Sequence, residues 1–276
     1  MAVAADQPWV SLVPAFAKNA SLAVPGARRA RERRLIARGL GHAPPHHVEN
    51  IFRRHAAAAA AVRPIEQADV LEIGPGGNLS VLKLFRASGA RRATAIDVLP
   101  WVAAGSNDED PPVEYLCPVT VEDLPFTNES FDIIYSDGCF QYVADPESAV
   151  DEIARVLRIG GVTTHMIDLS DPSHRDSADP LRFLRYRDCQ WRLATSHRLF
   201  QVNRWRGSDF LEAFRKRGFK TSLEVTATVD VDHAYSSTFA PRFRGKSLLD
   251  LGTVGAFIVA RKVAGSSTDS AAALGS

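Results

Sequence analysis

The sequence predicts an α/β fold built on a parallel sheet, and three observations support this prediction. Short apolar segments alternate with amphipathic helical segments at the spacing of βαβ units. A glycine-rich turn, Gly74–Gly77, joins the first strand of this series to a helix, where a parallel sheet offers its ligand crevice. The next strand ends in an acid, Asp97, which we expect at the same edge of the sheet.

The elements follow from local signals in chain order. An arginine-rich helix over 26–38 is followed by a second helix over 51–63, which Asn50 caps and Pro64 ends. A helix over 78–88 ends at a glycine, and Asp145 and Pro146 begin a helix that precedes two further glycines. Ser208 is expected to cap the last amphipathic helix. The predicted strands are 69–73, 93–97, 131–136, 161–168, 219–225 and 254–263.

Composition and segment boundaries suggest three consecutive parts, the second of which contains an inserted segment. Residues 1–65 are an N-terminal helical extension, and 66–264 form the domain that holds the sheet. Within that domain, 169–207 interrupt the strand and helix alternation without a clean period. Residues 265–276 have the low complexity of a disordered tail.

The chain has 33 basic against 32 acidic residues, a net charge of +1 that disfavours a protein bound along a nucleic-acid backbone. Its cysteines, Cys117, Cys139 and Cys189, fit neither a disulfide framework nor a zinc site, so we expect reduced thiols. No run approaches the ~20 apolar residues of a membrane span, and residues 1–6 lack the features of a signal peptide. We therefore expect a cytoplasmic protein that does not bind membranes.

The arginine-rich helix over 26–38 has two interpretations. It is either a solvated helix face or a site for an anionic partner. Retention on a nucleic-acid column at moderate salt would favour a nucleic-acid substrate.

The glycine turn is the most informative segment. A dinucleotide-binding turn requires G-x-G-x-x-G, which from Gly74 and Gly76 places the third glycine at 79. That position is Leu79, so a nicotinamide oxidoreductase is disfavoured. Glu72, inside the preceding strand, is expected near the crevice floor, where it can pair with a cationic amine. Asp97 can accept hydrogen bonds from both hydroxyls of a ribose.

Together these segments resemble the class I S-adenosylmethionine-dependent methyltransferases. The resemblance covers about 66–168, with weaker similarity to 263, and implies a Rossmann-like, doubly wound seven-stranded sheet whose last strand is antiparallel. It also implies S-adenosylmethionine as cofactor. The matching motifs are Glu72-Ile-Gly-Pro-Gly-Gly-Asn78, Asp97, Glu122-Asp-Leu-Pro-Phe126, Ser130-Phe-Asp-Ile-Ile-Tyr-Ser136 and Glu152-Ile-Ala-Arg-Val-Leu-Arg-Ile-Gly-Gly161.

The resemblance assigns roles by position. Glu72 would pair with the methionine amine, Asp97 would hold the ribose, and Val98 would pack on the adenine. The residues expected to line the cofactor loop are Gly74, Pro75, Gly76 and Asn78. The Val121 backbone would contact the adenine edge, and Ser136 and Asp137 would lie near the methionine part and the methyl group.

Three positions depart from the family pattern. Asn78 replaces the third glycine of the motif, and Ile159 replaces the proline of a later Pro-Gly-Gly turn. Thr120 stands where the family often has an acid for the adenine amino group. We therefore expect no side-chain contact from residue 120 to the adenine.

Methyl transfer to a hydroxyl gains from a general base. The candidate catalytic residues are Asp137, Tyr142, Asp168 and His174. Asp168 and His174, with Asp171, follow the fifth strand, where they are a base and its orienting partner, ligands of Mg²⁺ or Mn²⁺, or a loop that caps its own backbone. No metal site is assigned. His165, in mid-strand, is expected to be a satisfied core histidine.

The 169–207 segment interleaves arginines with aromatic residues. It is either a substrate cover or a solvated surface with a few core aromatics. It also resembles methyltransferases of bacterial surface-sugar or natural-product pathways. We expect methyl transfer to a hydroxyl or amine of a small molecule, with a non-catalytic cofactor-binding protein as the alternative. The oligomeric state is left open.

Overall fold

The computed structural model describes residues 13–24, 26–37, 45–102, 112–172 and 179–264. Seven strands form one sheet: β1 (Asp69–Ile73), β2 (Arg92–Ile96), β3 (Glu114–Leu116), β4 (Phe131–Asp137), β5 (Leu157–Asp168), β6 (Phe219–Thr228) and β7 (Thr253–Lys262). Their order is β3-β2-β1-β4-β5-β7-β6, and β7 runs antiparallel to both neighbours while β1 to β5 pair in parallel. The predicted Rossmann-like fold with an antiparallel last strand is confirmed.

Helices pack on both faces of this sheet. The helices of the described residues are α1 (Val13–Ala23), α2 (Ala27–Ala37), α3 (Pro45–Ala60), α4 (Ser80–Ala87), α5 (Pro146–Val156), α6 (Asp188–Thr195), α7 (Gly207–Lys216), α8 (His233–Ser236) and α9 (Leu248–Gly252). One core lies beneath α3 and α4 and includes Val70, Phe85 and Tyr135. The opposite core lies beneath α5 and α7 and includes Leu71 and Phe210.

The strand order creates a switch point between β1 and β4. The chain moves from β1 outward to β2 and β3, and then returns to place β4 on the other side of β1. Because β1, β2, β4 and β5 are parallel, their carboxyl ends meet at one edge, where ligands of such sheets bind. Glu72, Asp97, Asp137 and Asp168 all lie at or just before this edge.

Three element boundaries differ from the sequence predictions. Helix α7 begins at Gly207, so that Arg206, and not Ser208, is its N-cap. Helix α3 begins at Pro45, not after Asn50, because proline fits the first helical turn, where its missing N–H has no partner to lose. Strand β5 begins at Leu157, directly after α5, and contains the glycines expected in a turn. Leu157 pairs with Phe131 while Val162 pairs with Ile133, so 158–161 bulge out of the ladder.

The described part of the 169–207 segment has a small core of its own. Phe183, Tyr186 and Trp191 are buried in it together with residues from the β6–β7 connection. Arg204 donates to the carbonyl oxygens of Phe183 and Tyr186, and the fully buried Arg206 donates to four backbone carbonyls, including that of Leu169. These side chains hold the segment on the sheet domain. The rings of Phe183, Tyr186 and Trp191 are core, as one of the two interpretations expected.

Helix α2, the arginine-rich segment, has no buried residue among 27–37. The expected disordered tail, 265–276, lies outside the described residues. Within the described ranges, no helix has the length and apolar character needed to cross a membrane.

Candidate functional site

Glu72 is the most unusual polar residue at the carboxyl edge. Its side chain is buried, and among the described residues its Oε2 atom has no hydrogen-bond partner. Burial raises the pKa of Glu72 to about 8, and the neighbouring carboxylates Asp137 and Asp97 add to the rise. A buried acid surrounded by acids is poorly satisfied until a cation arrives.

Asp97 lies against the glycine turn, immediately after β2. Its carboxylate accepts the backbone N–H of Gly76 at 3.3 Å and that of Leu99 at 3.3 Å. Burial raises the pKa of Asp97 above its ordinary value, while these N–H groups oppose the rise. The side chain is therefore fixed at the mouth of the turn, and its contact with a ribose stays a prediction.

The glycine turn brings bare backbone to the edge of the sheet. Gly74 and Gly76 have φ of 72° and 66°, a region that residues with a Cβ adopt at a cost. A Cβ on Gly74 would come within 2.5 Å of Cys139 Sγ, so this glycine also permits close packing. Asn78 turns back on the chain, with its Oδ1 accepting the N–H of Ser80 at 2.7 Å at the start of α4. Pro75 is partly exposed within the turn.

The two apolar residues assigned to the adenine differ in environment. Val98 is 42% exposed directly after Asp97, an open apolar surface beside the turn. Val121 is buried in the core under α5 and α7, and the contact of its backbone with the adenine stays a prediction. Thr120 is exposed and forms an isolated bridge with Asp123, and its side chain takes the place of the acid of the family pattern.

Ser136 and His165 form a closed pair inside the sheet. Ser136 Oγ lies 2.8 Å from His165 Nδ1, and Thr163 Oγ1 lies 2.8 Å from Nε2. Burial lowers the pKa of His165 to about 3, so the ring is neutral. His165 is the satisfied core histidine that the sequence indicated. The Ser136 hydroxyl is occupied on this face of the sheet, and the assignment of Ser136 to the cofactor stays a prediction.

Asp137 faces the opposite side of the sheet, under α3. Its Oδ2 atom lies 3.4 Å from Nε2 of His55, a fully buried residue of α3. The contact of His55 with this site was not predicted from the sequence, because a single histidine in a helix of the N-terminal extension carries no motif. Its signal was available only as one polar residue on the buried face of an alanine-rich helix.

Asp168 ends β5 and is engaged by its own loop. Its Oδ1 atom accepts the backbone N–H of Ser170 at 2.9 Å and the Ser170 hydroxyl at 2.6 Å. Asp171 is buried and its N–H donates to the carbonyl of Pro180. His174 lies outside the described residues. The loop therefore has the backbone-capping character that was one of its three interpretations, and the catalytic role of Asp168 and His174 stays a prediction.

Aromatic residues from three segments meet beside Asp97. Trp101, after β2, stacks on Phe200 of the inserted segment with ring centroids 6.3 Å apart. The ring centroid of Tyr142, which follows β4, lies 5.7 Å from that of Phe200. All three rings are partly exposed. We call Trp101, Tyr142 and Phe200 the aromatic wall; Phe200 is its residue from the inserted segment.

Metal binding has no support in the described part of the chain, where no group of three or more His, Cys, Asp or Glu is placed to hold an ion.

Comparisons with known proteins agree with this geometry. Residues 71–164 match the family model described as a methyltransferase domain. A 2-methyl-6-phytyl-1,4-hydroquinone methyltransferase of Oryza sativa subsp. japonica is 28% identical over 157 residues, which cover 55% of this chain and 38% of that protein. A malonyl-[acyl-carrier protein] O-methyltransferase of Enterobacter lignolyticus is 29% identical, covering 48% and 52%. A ubiquinone biosynthesis O-methyltransferase of Parvibaculum lavamentivorans is 32% identical, covering 38% and 42%. The chain thus spans about half or less of the curated relatives it matches.

Solved structures share the fold at low identity. An S-adenosylmethionine-dependent methyltransferase of Mesorhizobium loti is 16% identical, with a TM-score of 0.51, covering 75% of this chain and 96% of that one. The [4+2]-cyclase SpnF is 19% identical, with a TM-score of 0.50, covering 78% and 82%. The family match lies within the domain predicted over 66–264. The chain carries a methyltransferase domain with the fold of the class I S-adenosylmethionine-dependent methyltransferases.

Proposed function

We propose that this protein transfers the methyl group of S-adenosylmethionine to a hydroxyl group of a small molecule. The observation that carries the proposal is Glu72, a buried carboxyl whose Oε2 atom has no hydrogen-bond partner among the described residues, beside a turn of bare backbone. Such a site is incomplete without a cation. The matching methyltransferase family model supports the same proposal.

The charge of the site fits the cofactor. S-adenosylmethionine carries an ammonium and a sulfonium against one carboxylate, and the site presents Glu72, Asp97 and Asp137 to it. Glu72 would pair with the ammonium, Asp97 would accept from the ribose hydroxyls, and the Gly74–Gly76 backbone would contact the methionine part. When bound, the cofactor supplies an electrophilic methyl carbon. The chain's own residues orient it and exclude water.

The aromatic wall favours a flat acceptor. Trp101, Tyr142 and Phe200 bring stacked and tilted rings to the side of Asp97, a surface on which an aromatic ring can pack. One relative is named a 2-methyl-6-phytyl-1,4-hydroquinone methyltransferase, and another a ubiquinone biosynthesis O-methyltransferase. We therefore propose an aromatic hydroxyl, as in a hydroquinone, as the acceptor in preference to a sugar hydroxyl or an amine.

The base is proposed from the residues at the edge. Asp137, Tyr142, Asp168 and His174 are the candidates, and Asp137 combines partial exposure with closeness to Glu72. A lost general base costs about 10²–10⁴ in rate.

The experiment is a transfer assay with S-adenosylmethionine labelled in its methyl group. Hydroquinones, malonyl thioesters, sugars and amines are offered as separate acceptor classes. We expect label in the hydroquinone product. Transfer only to another class would overturn the proposed acceptor.

A second candidate is a protein that binds the cofactor without turnover. It is favoured by Asp168, whose Oδ1 atom accepts two hydrogen bonds from Ser170 and so serves the loop. The [4+2]-cyclase SpnF shares this fold, so the fold does not decide the chemistry. Binding of S-adenosylhomocysteine without transfer to any acceptor class would favour this candidate.

A further inference from the structure

A histidine of the N-terminal extension contacts the candidate base on the face of the sheet that α3 covers. His55 on α3 is fully buried, with Nδ1 2.7 Å from Thr164 Oγ1 and Nε2 3.4 Å from Asp137 Oδ2. Tyr135 and Phe257 pack against its ring with centroids 5.0 and 5.3 Å away. The imidazole is therefore held between one residue of β5 and one residue at the end of β4.

The contacts fix which ring nitrogen carries the proton. Burial is the largest cause that lowers the pKa of His55, so the ring is neutral and carries one N–H. A carboxylate only accepts hydrogen bonds, so the N–H lies on Nε2 and donates to Asp137. Nδ1 then accepts from the Thr164 hydroxyl. This arrangement satisfies all three groups with one tautomer.

The position of Asp137 suits a group that meets the acceptor. Its side chain remains 21% exposed although Oδ2 contacts His55. Glu72 is in register with Tyr135, two residues before Asp137, so Glu72 and Asp137 project from the same face of the sheet. By contrast, Asp168 is engaged by Ser170. Asp137 is thus a partly exposed acid at this edge that contacts a buried histidine side chain of a helix.

We propose that His55 is a positioning residue that holds the Asp137 carboxylate, through Nε2–H, to accept the proton of the acceptor hydroxyl. This rests on the proposed methyl transfer. The acceptor oxygen forms its bond to the methyl carbon with its own electron pair. The sulfur–methyl bond breaks with its electrons left on sulfur, and the hydroxyl proton passes to Asp137. Helix α3 is then part of the active site and more than a cover for the sheet.

A matched pair of substitutions separates positioning from packing. The amide nitrogen of His55→Gln occupies the place of Nε2 and can still donate to Asp137, whereas that of His55→Asn occupies the place of Nδ1 and reaches only Thr164. We expect His55→Gln to keep kcat within about 3-fold. We expect His55→Asn to lower kcat by about 100-fold, the cost of a misplaced reacting group. The affinity for S-adenosylhomocysteine is expected to be unchanged in both variants.

A second readout does not depend on turnover. Nitrogen-15 NMR of the ligand-free protein reports the tautomer of His55, and we expect Nε2–H in the wild type. The kcat/KM against pH profile is measured for both variants, with the other charged groups near this pair, Arg54, Glu72 and Asp97, left intact. If His55→Asn does not fold, Thr164→Val replaces it in the NMR measurement, and we expect the proton to stay on Nε2, because Asp137 still accepts it.

Each outcome assigns a cause. Retained kcat in His55→Gln with loss in His55→Asn supports the proposal. Equal loss of kcat in both, or an Nδ1–H tautomer in the wild type, overturns the positioning role while methyl transfer by the wild type stands. A wild type that binds S-adenosylhomocysteine but transfers no methyl group to any acceptor class overturns the proposed function, and the role of Asp137 with it.

Discussion

Single residues at the carboxyl edge carry the chemistry, and some of them were predictable. Glu72 and Asp97 each follow from an acid at the end of an apolar strand, so strand periodicity places them at the edge. His55 was not predictable, because its role depends on how α3 crosses the sheet. The same holds for Ser136, whose hydroxyl bonds to His165 only because β4 and β5 pair in this register.

Glu72 gives cofactor binding a pH dependence. Its pKa of about 8 means that the free protein holds a proton there at neutral pH. An ammonium ligand favours the ionised form, so binding releases that proton and the affinity rises with pH from 6 to 8, by at most about tenfold per pH unit. Titration calorimetry with S-adenosylhomocysteine measures this slope.

Two controls test whether Glu72 causes this pH dependence: a variant of Glu72 and a ligand that lacks the aliphatic amine. Glu72→Gln is expected to bind with no such slope, because the amide does not titrate. Adenosine lacks the aliphatic amine that is cationic at these pH values, so the wild type should bind it equally at pH 6 and pH 8. A wild-type affinity for S-adenosylhomocysteine that is constant from pH 6 to 8 would contradict the pairing of Glu72 with the amine.

Asp97 is expected to determine the affinity for the ribose. Asp97→Ala removes two charge-assisted hydrogen bonds, and the loss reaches up to ~3 kcal/mol because each is worth about 1.5–3 and the freed hydroxyls regain water. Titration of S-adenosylhomocysteine checks this. The matched control is Asp151→Asn on α5, where the carboxylate pairs with Arg217. Equal affinity of a folded Asp97→Ala and the wild type would remove Asp97 from the site.

The glycine turn and its neighbouring elements were the best predicted. Strand β1, helix α4 and strand β2 lie within two residues of the expected bounds. The predicted start of α3 was six residues too late, because Pro45 occupies the first helical turn and Asn50 lies inside the helix. The three-residue strand β3 was not located, since it is too short for periodicity to reveal. The inserted segment had no period because its residues pack on the β6–β7 connection.

Gly76→Val tests the glycine turn as an element. Gly76 has φ of 66°, which a β-branched residue adopts only with strain, and its N–H lies against Asp97. We expect the affinity for S-adenosylhomocysteine to fall by more than about 100-fold, since the cost of ~1–2 kcal/mol for the backbone adds to the lost space. Gly245→Val is the control, because open space surrounds that position. Normal binding by a folded Gly76→Val would refute the assignment of the turn.

At the scale of the molecule, the strand order was predictable only through family resemblance. Alternating strands and helices predict a parallel sheet, but they do not specify that β4 returns beside β1 or that β7 is antiparallel. That return brings Glu72, Asp97 and Asp137 together. The same packing buries His55 and His165 as neutral rings, which links the stability of the whole fold to pH.

Acid is expected to destabilise the protein through these histidines. Both have a lowered pKa when folded, that of His165 about 3, so below the unfolded pKa of ~6.5 the unfolded chain binds more protons. The free energy of unfolding therefore falls as pH drops from 6.5, by up to ~1.4 kcal/mol per pH unit for each histidine. Urea unfolding at pH 7 and 5 measures this. The change in the free energy of unfolding between pH 7 and pH 5 is expected to be smaller for His165→Asn than for the wild type, and unchanged for the exposed His233→Asn. An equal change in His165→Asn and the wild type would contradict the account.

The most direct test of the central claim is a comparison of two ligands on the wild-type protein. S-adenosylhomocysteine and NADH are titrated separately by calorimetry at pH 8, where Glu72 is at least half ionised by its pKa of about 8. The account predicts saturable binding of S-adenosylhomocysteine at one site and no binding of NADH. Binding of NADH without binding of S-adenosylhomocysteine would contradict it.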